Sequence, residues 1–153
     1  MVVWRLTTKP DRDAAFDGKG ALAYGGRWNR KGTRVVYTAE TLALAVLEQL
    51  VHVLPAQMKN PFYYFEVEIP DDSIEVMSLA ALPPDWNALP APMALADIGS
   101  NWATSCRSLA LRVPSAVLPK AGNVVLNREH PAWSRIKIGA PEQYWFDGRL
   151  LKT

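Results

Sequence analysis

The stretch Thr33-Arg-Val-Val-Tyr-Thr-Ala-Glu-Thr-Leu-Ala-Leu-Ala-Val-Leu-Glu-Gln-Leu-Val-His-Val-Leu54 decides the fold class. Residues 33–38 alternate and are rich in β-branched side chains, so they read as a strand. The remainder is a helix-forming run that Pro55 stops. Thr38 is placed to cap that helix, and Glu40 lies in its first turn, where a carboxylate complements the helix dipole. Leu42 to Leu47 are apolar on every face, which predicts one long helix over 39–54, buried nearly all round.

Outward from this unit, strands are expected at 2–6, 62–69, 74–78, 108–113, 123–127 and 143–146. Residues 7–32 read as loop, broken by Gly18, Gly20, Gly25, Gly26 and Gly32. Leu82 to Pro92 holds four prolines and reads as a surface loop pinned by Trp86. Residues 93–102 suit a short helix ending near Gly99. The expectation is a single α+β domain over 1–153, with a mixed, mainly antiparallel sheet and one long buried helix.

The chain has 153 residues, 49% hydrophobic and 21% charged, which excludes a disordered polypeptide. No run of about 18 apolar residues exists to span a membrane, and the N-terminal apolar stretch is too short for a secretory signal. Cys106 is the only cysteine, so neither an intramolecular disulfide nor a Cys-based zinc site can form. A cytoplasmic protein is expected. The net charge of +2 conceals a strong asymmetry. Residues 1–34 carry eight Lys/Arg and three acids, 35–100 one Lys and nine acids, and 101–153 eight Lys/Arg and three acids. Two basic ends around an acidic middle suit either plain surface charge or a site that holds an anion.

Four places could carry chemistry. Glu48 interrupts the apolar helix, and His52 follows one turn later on the same face. A carboxylate in apolar surroundings needs a partner, so Glu48 is either a solvated or ion-paired residue or the wall of a site. A Glu/His metal site lacks a third ligand, and no metal is expected. Tyr24-Gly-Gly-Arg-Trp-Asn29 combines a tight turn with Arg27, which can fork onto a phosphate, and Trp28, which suits either a rim or the core. Ser115 follows a strand and Pro114, without the glycines of an esterase elbow. Asn123-Val-Val-Leu-Asn127 ends in an asparagine that suits a turn or polar support.

Together these pieces resemble the RES-domain family, named for its Arg, Glu and Ser. The matching text is Trp4-Arg5, Gly25-Gly-Arg-Trp-Asn29, Gly32, Val35-Val-Tyr-Thr38, Ala45-Val-Leu-Glu48 with His52, Leu111-Arg-Val-Pro-Ser115, Asn123-Val-Val-Leu-Asn127 with His130-Pro131, and Phe146-Asp-Gly-Arg-Leu150. The likeness spans essentially the whole chain. Two departures fall in turns: Arg128, where proline is usual, and Gly148, where proline is common.

The resemblance implies a fold like the ADP-ribosyltransferase core and a toxin of a bacterial toxin–antitoxin pair that depletes NAD⁺. It implies an Xre-type antitoxin as partner, a homodimer within a larger assembly, and contact with nucleic acid only through the antitoxin. NAD⁺ would be substrate, with no separate cofactor. Glu48, Arg27, Tyr37 and Ser115 are the expected catalytic residues, with Arg5 and Asn127 as further substrate contacts. The nicotinamide–ribose bond would be cleaved with water or phosphate as acceptor, and transfer of ADP-ribose to a protein or small acceptor is an alternative reaction. A nucleic-acid-binding module without catalysis is an alternative class, suited by the basic ends and six tryptophans.

Overall fold

The computed structural model describes residues 1–151. The elements are β1 (Val2–Thr7), α1 (Arg12–Ala15), α2 (Lys19–Tyr24), β2 (Val35–Ala39), α3 (Leu42–Leu50), β3 (Phe62–Glu68), β4 (Ile74–Val76), α4 (Met93–Ser105), β5 (Ala110–Pro114), β6 (Gly122–Asn127), β7 (Lys137–Ile138) and β8 (Glu142–Tyr144). The strands form one sheet in the order β4-β5-β6-β2-β1-β3-β7, with β8 also paired to β3. Every described pairing is antiparallel except β4 with β5. The fold is thus mixed α+β with a mainly antiparallel sheet, as its strand signals predict.

Period-2 alternation divides the core cleanly. Val3, Phe65, Val67, Val36, Ala110, Val124 and Leu126 point to one face and form a cluster closed by Ala15, Phe16 and Ile136. The other face carries two clusters side by side. Val35, Leu111, Val113 and Val125 pack under Trp28, Leu95 and Trp102. Leu6, Ala39 and Phe62 pack under Leu44, Ala45, Met58 and Phe146.

The long buried helix over 39–54 is not present. Thr38 and Ala39 belong to β2, and the Thr38 hydroxyl donates to the Val124 carbonyl instead of capping a helix. Thr41 is the cap: its side chain accepts the Leu44 N–H at 3.1 Å, and α3 runs only over Leu42–Leu50. Only Leu44 and Ala45 of α3 are buried. Beyond the helix, Val51 is 54% and Leu54 66% exposed. Apolarity on all sides made the segment look enclosed, yet sheet lies on one side of it only.

The longest helix is α4, which passes through Gly99 and ends at Ser105 with Cys106 in the left-handed region at φ 49°. Gly99 does not stop it because the glycine serves packing. A Cβ there would lie 1.9 Å from the Trp28 carbonyl oxygen, so only glycine lets helix and loop approach. Leu95, Trp102 and Ala103 are buried beside it. The segment expected as loop also folds locally, into α1, capped by Asp11 onto the Ala14 N–H, and α2, entered through Gly18 at φ 67°. The two-residue β7 gave no periodic signal of its own. Arg128, the departure from proline, is used: Nε donates to the Phe16 carbonyl and the guanidinium sits 4.7 Å over Trp133.

Candidate active site

Glu48 lies on α3 two turns after the Thr41 cap, facing the β5–β6 hairpin. Its Oε1 accepts the Ser115 hydroxyl at 2.7 Å and the Asn123 side-chain amide at 2.6 Å. Both partners are neutral donors. Each hydrogen bond to a charged group is worth about 1.5–3 kcal/mol, which offsets the cost of partly burying the carboxylate. Both bonds fall on one oxygen, leaving Oε2 outside this pair of contacts. An ionised carboxylate accepts four hydrogen bonds, so the group retains capacity for something else.

The hairpin explains why these two donors meet. β5 ends at Pro114 and β6 begins at Gly122, with Val113 opposite Asn123. Ser115 therefore projects from the same end and face as Asn123. Ser115 is completely buried, and its N–H donates to the Ala121 carbonyl at 3.0 Å. Its Oγ also accepts the N–H groups of Val117 and Leu118. With both acceptor positions occupied, the hydroxyl proton is directed at Glu48. The serine hydroxyl and the Glu48 carboxylate thus hold each other in one geometry.

Tyr37 lies on the same face of β2, two residues before Ala39, and Ala39 is opposite Asn123. Its hydroxyl donates to Asn29 Oδ1 at 2.7 Å and accepts the Trp28 N–H at 3.1 Å. Burial pushes the Tyr37 phenol far up, against smaller opposing effects of the Trp28 N–H and the Arg27 charge, so it stays neutral. Gly26 packs on that hydroxyl, where a Cβ would come within 2.8 Å. Asn29 is buried and donates to the carbonyls of Ala21, Arg30 and Thr33. The Gly-Gly-Arg-Trp-Asn turn is therefore bolted to Tyr37, with Trp28 in the core and not at a rim. From that turn Arg27 donates to the carbonyls of Trp86 at 2.8 Å and Ala88 at 3.1 Å, fastening the proline-rich loop.

Two expected contacts lie apart from Glu48. Arg5 is on the opposite face of β1, alternating with Trp4. Its Nε donates to the Ala15 carbonyl at 2.6 Å and its Nη1 to the Tyr37 carbonyl at 2.9 Å, while Phe16 stacks beneath it. Burial lowers this guanidinium to about 10, still charged at neutral pH. Asn127 occupies the far end of β6, buried, where its amide donates to the Ala103 carbonyl at 2.8 Å and ties α4 to the sheet. Asn123 is the residue the sequence reading passed over. A hairpin turn between Pro114 and Gly122 was the available signal, since it brings residue 123 beside residue 115. Among the described residues no group of three or more His, Cys, Asp or Glu is assembled to hold a metal.

Comparison with known proteins gives one consistent answer. The RES domain family matches residues 2–147. A protein of Photorhabdus laumondii named Toxin Res is 40% identical over 100% of this chain and 99% of its own. Another Toxin Res, from Yersinia enterocolitica, is 36% identical over 98% and 99%. A Sphingobium protein named Prs ADP-ribosylating toxin is 37% identical over 97% and 96%. Among solved structures, a chain of the M. tuberculosis MbcT–MbcA toxin–antitoxin complex superposes with a TM-score of 0.75 at 16% identity, covering 94% of this chain and 84% of that one. That likeness concerns the fold, and the sequence matches carry the family. A carboxylate held by a serine from a Val-Pro-Ser strand end, with an arginine on a Gly-Gly turn, sits within a chain whose whole length matches one family: this chain belongs to the RES-domain family.

Proposed function

We propose that this chain is the toxin of a bacterial toxin–antitoxin pair and that it destroys NAD⁺ by cleaving the nicotinamide–ribose bond. The carrying observation is Glu48, fixed through Oε1 by Ser115 and Asn123 with Oε2 outside those bonds. Breaking the bond builds positive charge at ribose C1′, and a preorganised carboxylate stabilises it. The bonding electrons return to the ring nitrogen, which discharges the pyridinium, so nicotinamide leaves neutral and needs no general acid. Water adds to C1′ and releases a proton, giving ADP-ribose and nicotinamide.

Arg27 is the candidate for the pyrophosphate, exchanging the loop carbonyls for phosphate oxygens. Tyr37, neutral and rigidly held, suits stacking on nicotinamide or a hydroxyl contact to ribose. Ser115 acts through Glu48. Arg5 and Asn127 support the scaffold in this reading, through β2 and α4. An Xre-type antitoxin is the proposed partner, with a homodimer in a larger assembly, and 1–153 acts as one domain. A toxin–antitoxin complex as fold neighbour supports the pairing.

The purified protein should release nicotinamide from NAD⁺. Glu48→Ala should lower that rate by about 100-fold or more, the scale of losing one preorganised electrostatic group, with the circular dichroism unchanged. Full turnover in Glu48→Ala would sink the assignment. ADP-ribosyl transfer is a second reading, favoured by the name of the Sphingobium relative. A stable mass increment of ADP-ribose on an acceptor, with no free ADP-ribose, would replace hydrolysis by transfer.

A further inference from the structure

Glu40 lies between the end of β2 and the Thr41 cap of α3. Its N–H donates to the Gly122 carbonyl at 3.1 Å, and its Oε2 accepts the Gly122 N–H at 2.8 Å. Its Oε1 accepts Arg112 Nε. Arg112 and Gly122 sit on the face of β5 and β6 opposite to Ser115 and Asn123. A Cβ at Gly122 would fall 2.8 Å from Arg112 Cζ, so a glycine is what lets the guanidinium reach across the strand end. Arg112 and Glu40 are each only about one-third or less exposed. The carboxyl group is held below its usual range by Arg112 and the Gly122 N–H, against an opposing burial effect.

The same three segments are thus fastened twice. On one face Glu48 of α3 takes bonds from Ser115, after β5, and Asn123, on β6. On the other face Glu40, just before α3, takes bonds from Arg112, on β5, and Gly122, on β6. Gly122 and Asn123 are adjacent, and Arg112 is three residues from Ser115. A shift of Gly122 relative to Glu40 moves Asn123 relative to Glu48 through one peptide unit.

We propose that Glu40 and Arg112 are positioning residues for Glu48, acting through Gly122 and Asn123 from the opposite face of the sheet. The inference rests on the reading of Glu48 as the NAD⁺-cleaving carboxylate. Neither residue touches substrate. Their contribution is the register between α3 and the β5–β6 hairpin, which sets the orientation of the Glu48 carboxylate.

The test is steady-state cleavage of NAD⁺ by the purified full chain. Glu40→Gln and Arg112→Gln should each lower kcat by about 3- to 10-fold, no more than direct loss of the Asn123 amide, with KM changed less than about twofold. A double-variant cycle supplies a readout that plain stabilisation would not move. Glu40→Gln should add little to the loss already produced by Asn123→Ala, because both act on one carboxylate. Arg112→Lys, which keeps the charge, should recover part of the rate. If a variant fails to fold, the milder Glu40→Asp carries the same comparison. Wild-type kcat in folded Glu40→Gln and Arg112→Gln, or additive losses with Asn123→Ala, overturns the inference alone. No turnover by wild type, or full turnover by Glu48→Ala, overturns the functional reading and this one with it.

Discussion

Of the two larger helices on one face of the sheet, the more apolar, α3, is the less deeply buried. α4 is locked: Leu95 and Trp102 are fully buried, Gly99 lies against the Trp28 backbone, and the Trp102 indole donates to Ser108 Oγ at 2.7 Å. α3 buries Leu44 and Ala45 only and carries Glu48 on its margin. The difference separates two tasks. A helix that fills every inward position serves as anvil, and a helix with an open side can present a charged group without stranding it. Burial on all sides, which the apolar run of α3 suggested, would have made Glu48 untenable.

Variants can break or sharpen this contrast. The largest effect belongs to the anvil: Trp102→Ala should cost about 3–5 kcal/mol of unfolding free energy, measured by urea titration, with loss of activity following loss of fold. Asn123→Ala should instead lower NAD⁺ cleavage by about 10-fold, through loss of one hydrogen bond worth about 1.5 kcal/mol to Glu48, while the urea midpoint moves far less than in Trp102→Ala. Equal loss of stability in both would erase the distinction between the two helices. Thr41→Ala removes the α3 cap and should cost about 1 kcal/mol, visible as a lower melting temperature. The smallest effect is expected just beyond α3, where Leu54 is exposed and Leu54→Ser should change stability by about 0.5 kcal/mol or less. A drop of several kcal/mol there would mean that the segment leaving α3 is covered.

Much of this was legible from the residues. The strands announced themselves through alternation, and Glu48, Arg27 and Ser115 each stood in a short motif with a chemical reason, whereas Tyr37 entered only through the resemblance. The cap was misread because Thr38 and Thr41 are equally good caps in isolation. What distinguishes them is the pairing of Thr38 with Val124, a contact 86 residues away. Asn123 and Asn127 share one face of one strand, and alternation alone cannot say which of them meets Glu48. Arg5 beside Trp4 posed the same problem of face, which register resolves only after β1 has found β2 and β3. Helix α4 was cut short at Gly99 because a packing glycine and a terminating glycine look identical in sequence.

The carboxylate and its two donors are separated by 67 and 75 residues of chain. During synthesis Glu48 therefore emerges long before either partner: α3 can already pack on Leu6 and Ala39, but its carboxylate has neither donor until the β5–β6 hairpin is made. A nascent chain stalled anywhere before residue 123 holds the acid without the means of aiming it. In the proposed reading the cleaving carboxylate is thus made early and aimed late, with 75 residues of synthesis between the acid and the second of its donors.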